Sequence, residues 1–230
     1  MTDHPQEQLQ VLIRNEISAE VPPDARALCD ELSKKNGVLA VVFYGSGLWK
    51  EASADTVYDF YLIVDRYRDF SPNPLLAMGG SIVPPNVYYH EHNAKDGRKL
   101  RCKYAVLRMD QFISAAGGQS FTPHIWARFC QPARIPYVRD KDIEARLLGA
   151  LTDATITFHK HTLQKQTADE LSVKDLWQTG LQFTYQSELR SEKKNRTFEI
   201  FDHQTEAFVR RTQLACSTLS PEHDIIQGDR

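Results

Sequence analysis

A glycine-serine-glycine loop, Gly45-Ser46-Gly47, is followed by an aspartate, Asp59, that interrupts an apolar run. Glycine lets a backbone approach a phosphate closely, and the Ser46 hydroxyl and the loop amides can donate hydrogen bonds to phosphate oxygens. A carboxylate near such a loop can hold Mg²⁺, which bridges and neutralises the phosphates of a nucleotide. The two motifs in this order predict a phosphate-binding loop with a metal-binding carboxylate.

The residues that flank Asp59 bear on a simpler interpretation, in which the glycines form a tight turn and Asp59 caps a strand edge. Residues 60–64 are all apolar or aromatic, which is typical of a strand buried on both faces. An unpaired carboxylate entering such a strand costs several kcal/mol unless it is paired or metal-bound. Both motifs together therefore favour a functional site.

The elements that must position these motifs are strands. The β-branched and aromatic run Val38 to Tyr44 predicts a buried strand before the loop, and Val57 to Asp65 predicts a second one after it. Val87 to Glu91 and Lys99 to Leu107 flank an Asp96-Gly97 turn and predict a hairpin. The N-terminal half therefore supplies a sheet.

Helical patterns open the chain and dominate it after Met109. Apolar residues at helical spacing and end signals predict helices at 9–17, 25–35, 111–116, 124–131, 140–163, 172–190 and 203–217. Strands followed by consecutive helices indicate an α+β fold. We expect a catalytic region over residues 1–120 and a mainly helical C-terminal region over residues 121–230.

Composition and charge bound the function class. The chain has 230 residues, 41% of them hydrophobic, a net charge of −2 and a pI near 6.4, so it has no global attraction for nucleic acid. No apolar run approaches the ~20 residues of a membrane span, and the N-terminus lacks a signal-peptide pattern. We expect a cytoplasmic protein that at most touches the inner face of a membrane, with buried free thiols at Cys29, Cys102, Cys130 and Cys216.

The segment from Phe43 to Asp65 resembles the nucleotidyltransferase superfamily related to DNA polymerase β. In that superfamily an apolar strand and Gly-Ser precede an Asp-x-Asp that leads a second apolar strand. Gly45 and Ser46 match the first part and Asp59 matches the second aspartate, but Val57 stands where the first is due. Asp55, Asp65 or Glu91 could supply the missing ligand.

A narrower resemblance accommodates that departure. The chain is similar to the mitochondrial-type phosphatidate cytidylyltransferase family over roughly residues 38 to 200. The matching pieces come in the family's order: Tyr44-Gly45-Ser46-Gly47, Asp59-Phe60, Lys103-Tyr104-Ala105-Val106, Pro132 to Pro136, and Thr184 to Arg190. Ala105 and Ser187-Glu188 depart from the family's glycine and glycine-aspartate. These departures weaken the expectation of a lipid substrate more than the expectation of nucleotidyl chemistry.

The resemblance implies a polymerase β-like fold and transfer of CMP from CTP to phosphatidic acid, giving CDP-diacylglycerol and pyrophosphate. It implies Mg²⁺ as cofactor and peripheral contact with a membrane. The implied nucleotide-binding residues are Gly45, Ser46, Gly47 and Lys103, with Asp59 and Lys103 catalytic and Asp59 binding metal. Asp55 is our candidate for the second metal ligand. Tyr185, Glu188 and Arg190 could reach the acceptor cleft or be solvated.

Lys103 also has two interpretations from the residues alone. Alternation along its strand places it on the same face as Arg101 and Ala105. Its ammonium could bind a triphosphate as a compact point charge. The alternative is an exposed edge-strand lysine that discourages aggregation.

The remaining ionisable clusters are less specific. His159 and His161 lie two apart on a helix, so their rings point about 200° apart and predict a solvated, basic helix end rather than a metal site. His90 and His92 share a strand face, where weak metal binding is conceivable. A lipid-headgroup surface or an ordinary solvated one is expected from Arg190, Lys193, Lys194, Arg196, Arg210 and Arg211.

Two rival functions follow from the same residues. One is nucleotidyl transfer to a soluble small molecule or to a protein. The other is a degenerate, non-catalytic nucleotide-binding module, which the missing first aspartate at Val57 favours.

Overall fold

A computed structural model describes residues 4–70, 86–120, 123–166, 170–187, 195–219 and 224–226. The described chain divides into two compact units, neither of which is continuous in sequence. The sheet unit lies within residues 15–113 and 133–147, and the helical unit lies within residues 1–14, 114–132 and 148–230. The division of the chain into regions 1–120 and 121–230 stays a prediction.

The described elements alternate between helix and strand in the first half of the chain and are mostly helical afterwards. In chain order they are α1 (Pro5–Ile17), α2 (Pro23–Ser33), β1 (Val38–Tyr44), a 3₁₀ turn (Ser46–Leu48), β2 (Val57–Val64), α3 (Tyr67–Phe70), β3 (Asn86–Asn93), β4 (Lys99–Arg108), α4 (Met109–Ala116), α5 (His124–Phe129), β5 (Arg134–Val138), α6 (Lys141–Leu163), β6 (Glu170–Ser172), α7 (Val173–Ser187), α8 (Asn195–Leu219) and β7 (Asp224–Ile226).

The sheet unit is built on a five-stranded mixed sheet in the order β3-β4-β2-β1-β5. Strands β2 and β4 run parallel, whereas the other neighbours are antiparallel. The predicted hairpin is confirmed, and Gly97 in its turn has a φ of 85°, which glycine adopts without strain. The expected mixed α and β fold is thereby confirmed.

One face of this sheet packs on α2 and forms a hydrophobic core. Alternation along the strands places Phe43, Phe60, Tyr104 and Tyr88 in one row of that face. The Phe43 and Phe60 ring centroids are 5.2 Å apart, as are those of Tyr88 and Tyr104. Because successive residues of a strand point to opposite faces, the residues of the next row project from the other face of the sheet.

The helical unit has an aromatic core. The rings of Trp177 in α7 and Phe208 in α8 stack with centroids 3.8 Å apart. Gly180 lets α7 pack closely on α6, because a Cβ there would collide with Phe158 and Thr162. Within the described part of the chain, no helix has the length and apolar character that crossing a membrane requires.

The sequence patterns predict no strand at Arg134–Val138, within the mainly helical C-terminal region. This segment forms the edge strand β5 against β1. Its proline is tolerated because an edge strand has one side without a ladder partner, and the carbonyl of Pro136 accepts a 2.6 Å hydrogen bond from Arg26 Nη1. Edge pairing is a tertiary contact that no local pattern in these five residues specified.

Candidate functional site

Four side chains from four strands form a row on the sheet face opposite α2. Tyr44 of β1 pairs in register with Asp59 of β2, Asp59 with Lys103 of β4, and Lys103 with Tyr89 of β3. Residues in register on neighbouring strands project from the same face, about 5 Å apart. We call Tyr44, Asp59, Lys103 and Tyr89 the polar row. The structure thus brings the two predicted catalytic residues side by side.

The loop that follows β1 lies directly against the Asp59 carboxylate. Gly45 has a φ of 83°, and a Cβ built there would lie 3.3 Å from Asp59 Oδ2. Glycine is therefore favoured at position 45 both by its backbone conformation and by the nearby carboxylate. This contact joins the two motifs that the sequence separates.

The rest of the loop is a tight turn packed on the core. The amides of Leu48, Trp49 and Lys50 donate hydrogen bonds to the carbonyls of Gly45 and Ser46. A Cβ at Gly47 would lie 3.0 Å from ring atoms of Phe43 and Tyr58. Gly47 therefore has a packing reason as well as its predicted role in nucleotide binding.

The row becomes more accessible from its middle towards the sheet edge. Asp59 is half-buried, whereas Lys103 is exposed and Tyr89 is 53% exposed. The Tyr89 hydroxyl donates a 3.1 Å hydrogen bond to Glu91 Oε1. Desolvation first, and then this hydrogen bond to a carboxylate, raise the pKa of Tyr89, so its ring stays neutral at pH 7.

The other acidic candidates are paired with basic side chains. Asp55 is 99% exposed, and its Oδ1 lies 3.6 Å from Arg101 Nη1. Glu91 Oε2 lies 3.1 Å from Lys99 Nζ, and the hydrogen bond to Lys99 lowers the pKa of Glu91. Asp65 follows the far end of β2, six residues from Asp59, and lies 3.4 Å from Arg66. The predicted role of Asp55 as a metal ligand stays a prediction.

The described residues contain no group of three or more His, Cys, Asp or Glu side chains that could hold a metal ion. If Asp59 holds a metal ion, the described residues do not complete its coordination. Mg²⁺ commonly binds through one or two carboxylates, with substrate phosphates and waters as its other ligands. The arrangement fits a single Mg²⁺ that arrives with a nucleotide.

Several predicted site residues cannot be compared with the structure. Tyr185 lies in α7 and Arg196 in α8, but their side chains lie outside the described part. Glu188, Arg190, Lys193 and Lys194 lie outside the described residues altogether. The acceptor residues and most of the basic surface therefore stay predictions.

Two expectations about the C-terminal helices were wrong. His159 is fully buried in the helical unit instead of belonging to a solvated helix end. Arg211 is 1% exposed and donates a 2.7 Å hydrogen bond to Thr155 Oγ1, so it is not part of a lipid-facing surface. The sequence pattern missed this because α6 and α8 carry threonines, polar side chains that can be buried when hydrogen-bonded.

His159 belongs to a continuous chain of hydrogen bonds. Its Nδ1 lies 2.8 Å from the Thr155 carbonyl and its Nε2 lies 3.1 Å from Thr212 Oγ1, while Trp177 Nε1 donates to that same hydroxyl at 2.8 Å. A carbonyl only accepts, so Nδ1 carries the proton and Nε2 accepts from Thr212. The pKa of His159 is lowered to about 4: desolvation is the largest cause, the hydrogen bond to the Thr155 carbonyl opposes it, and the nearby Arg211 charge adds to the lowering.

The four cysteines are buried and free, as expected. Burial raises the pKa of each thiol, so none is a ready nucleophile. Sequence reasoning gave no role to the two tyrosines of the polar row, although Tyr44 belongs to the Tyr44-Gly45-Ser46-Gly47 motif. Tyr89 could have been found, because the Asp96-Gly97 turn fixes the hairpin register that pairs it with Lys103.

No protein-family model matches the chain, and no curated protein matches it either.

Proposed function

We propose that this protein is a nucleotidyltransferase that binds the phosphates of a nucleoside triphosphate at the Gly45 loop and the polar row. The carrying observation is the contact between Gly45 and the Asp59 carboxylate, with Lys103 in register beside it. A glycine-rich loop with donor amides, a half-buried carboxylate and an exposed ammonium are groups that suit a metal-bound triphosphate.

Each residue has a distinct task in this proposal. Gly45 lets the loop backbone lie against the carboxylate, and the amides of Ser46 and Gly47 with the Ser46 hydroxyl would donate to the oxygens of a phosphate bound there. Asp59 would hold Mg²⁺, which when bound neutralises charge on the phosphates. Lys103 places a positive charge one strand away, where it offsets the remaining negative charge of the triphosphate.

The reaction is an in-line displacement on the α-phosphorus. An acceptor oxygen forms a new bond to this phosphorus, the bond from phosphorus to the bridging oxygen breaks, and pyrophosphate leaves with the electron pair. No covalent enzyme intermediate is needed, so positioning and electrostatic stabilisation supply the rate enhancement. The family resemblance supports CTP as the donor and the phosphate of phosphatidic acid as the acceptor.

One observation favours a second candidate, a non-catalytic nucleotide-binding module. Val57 stands where the superfamily has its first aspartate, and the nearby Asp55 is fully solvated and faces Arg101. With one carboxylate, only one metal is held, whereas two-metal transfer needs more than one. Such a module would bind nucleotide and release no pyrophosphate.

Pyrophosphate release separates these possibilities. The full-length protein is incubated with each nucleoside triphosphate and Mg²⁺, with and without phosphatidic acid vesicles. We expect release with CTP that depends on the vesicles. Release that ignores the vesicles but rises with a sugar, an alcohol or a protein would establish a soluble acceptor. Nucleotide binding without release from any mixture would establish the binding module.

Vesicle sedimentation tests the lipid acceptor independently of turnover. A lipid acceptor requires reversible docking, and each basic residue near an anionic surface contributes about 1 kcal/mol, which salt screens. We expect the protein to sediment with phosphatidic acid vesicles at low salt and not with neutral ones. The triple substitution of Lys193, Lys194 and Arg196 by Gln should weaken sedimentation without changing CTP binding. A protein that stays in the supernatant at low salt with CTP and Mg²⁺ contradicts the lipid acceptor.

A further inference from the structure

An exposed aromatic ring ends the polar row at the sheet edge. Tyr89 lies on β3, the edge strand, in register with Lys103, and 53% of its surface is exposed. Large apolar rings are usually withdrawn from water, so a tyrosine this exposed beside an ammonium has a large contact surface available to a ligand.

The ring is held in place by its neighbours rather than left to rotate freely. Its hydroxyl bonds to Glu91 Oε1, and Glu91 is itself 3.1 Å from Lys99 Nζ and 3.6 Å from Arg101 Nε. A ring that is already ordered loses less conformational entropy when a flat ligand stacks on it. This arrangement therefore favours recognition of a planar group.

The position of the ring matches the shape of a nucleotide. Asp59 and Tyr89 are separated by two strand spacings, or about 10 Å, with Lys103 between them. A nucleotide has the same order of parts, because its ribose separates the phosphates from the base. With its phosphates at Asp59 and Lys103, its base reaches the sheet edge.

We propose that Tyr89 is the stacking surface for the base of the bound nucleotide. This inference rests on the proposed function, since it takes the phosphate end of the ligand from it. Every base has a π-face, so stacking on Tyr89 strengthens binding of all nucleotides and does not select among them. Base selection must then come from hydrogen-bonding groups elsewhere in the chain.

Calorimetric titration of the full-length protein with CTP, ATP and inorganic tripolyphosphate, each with Mg²⁺, tests this assignment. Tyr89→Leu should weaken CTP and ATP binding by about tenfold, since it removes the ring. Tyr89→Phe and Tyr89→Trp should bind both nucleotides within about threefold of the wild type, because they keep a ring. Val87→Ala is the matched control, because Val87 is on the same strand and face and is 65% exposed.

The outcomes separate this inference from the proposed function. Nucleotide binding that Gly45→Val weakens and Tyr89→Leu leaves unchanged would refute stacking while the proposed function stands. An equal loss of CTP and tripolyphosphate binding in Tyr89→Leu would also refute it, because the ring would then act on the phosphate end. A wild-type protein that binds no nucleotide would overturn both.

Discussion

The sheet unit and the helical unit each bring together ionisable and polar side chains, but the two units differ in how far these side chains are exposed to solvent. In the sheet unit, the polar row runs from a half-buried carboxylate to an exposed lysine and an exposed tyrosine. In the helical unit, His159, Arg211 and Thr212 are all buried, and each has hydrogen-bonding partners inside the same unit.

This difference separates a candidate binding surface from a structural network. A buried histidine whose two ring nitrogens are both satisfied has no free position for a substrate, and its lowered pKa keeps it neutral. An exposed lysine beside a carboxylate keeps its charge available to a ligand. Accessibility and hydrogen bonding therefore make the polar row the candidate binding surface and the His159 network a structural one.

The largest effect should come from the carboxylate of the polar row. Asp59→Asn keeps the side-chain size but removes the negative charge, so we expect turnover to fall by at least about a hundredfold. Pyrophosphate release measures the loss, and the thermal midpoint checks that the fold is kept. A folded variant with wild-type turnover would remove Asp59 from the site and with it the proposed reaction.

The buried network should instead respond to acid. In the unfolded chain His159 binds a proton below pH 6.5, whereas in the folded chain it does so only below about pH 4. Stability therefore falls as the pH drops through this window, by about 3 kcal/mol for this group. Denaturant titrations at pH 7 and pH 4 should show that loss, and His159→Gln should reduce it.

His161 is the control for this prediction, because it is exposed and stacks on Trp126 with ring centroids 5.3 Å apart. His161→Gln should leave most of the acid dependence in place. If His159→Gln and the wild type lose equal stability between the two pH values, His159 is not the group that titrates.

How well the sequence predicts each unit depends on whether the residues that decide its structure are close together in the sequence. The strands β1 and β2 were predictable because continuous apolar runs between turn residues leave few alternatives. The pairing of Asp59 with Lys103 was not, since β2 and β4 are parallel and joined by a long connection whose register no local pattern fixes. His159 was misassigned because burial of a polar helix face depends on Thr212 and Trp177, which are distant in sequence.

Breaking the network at its central hydroxyl should have the next largest effect. Thr212→Val keeps the shape of the side chain but leaves Trp177 Nε1 without its acceptor and His159 Nε2 without its donor. We expect the free energy of unfolding to fall by about 2 kcal/mol. Thr205→Val on the same helix is the control, since Thr205 is exposed and bonds only to backbone carbonyls. Equal losses in the two variants would contradict a special role for Thr212.

The loop of the sheet unit offers a matched pair of glycines. Gly45→Val places a side chain 3.3 Å from Asp59 Oδ2, so we expect nucleotide affinity to fall by at least about tenfold, or 1.4 kcal/mol. Gly97→Val carries the same kind of backbone strain, because its φ is 85°, yet a Cβ there meets nothing within 4 Å. It should lose stability but keep nucleotide affinity by calorimetry. If both variants bind nucleotide like the wild type, the Gly45 loop is a plain turn.

The smallest effect should come from Asp55, and it decides whether the polar row works with one carboxylate. Asp55 is 99% exposed, and its Oδ1 is 3.6 Å from Arg101 Nη1, so solvent and a cation already compensate its charge. We expect Asp55→Asn to retain turnover within about fivefold of the wild type, because an exposed pair of this kind contributes about 1 kcal/mol or less. Pyrophosphate release at several Mg²⁺ concentrations is the measurement. A loss as large as that of Asp59→Asn, relieved at high Mg²⁺, would make Asp55 the second metal ligand, and the site would then hold two carboxylates.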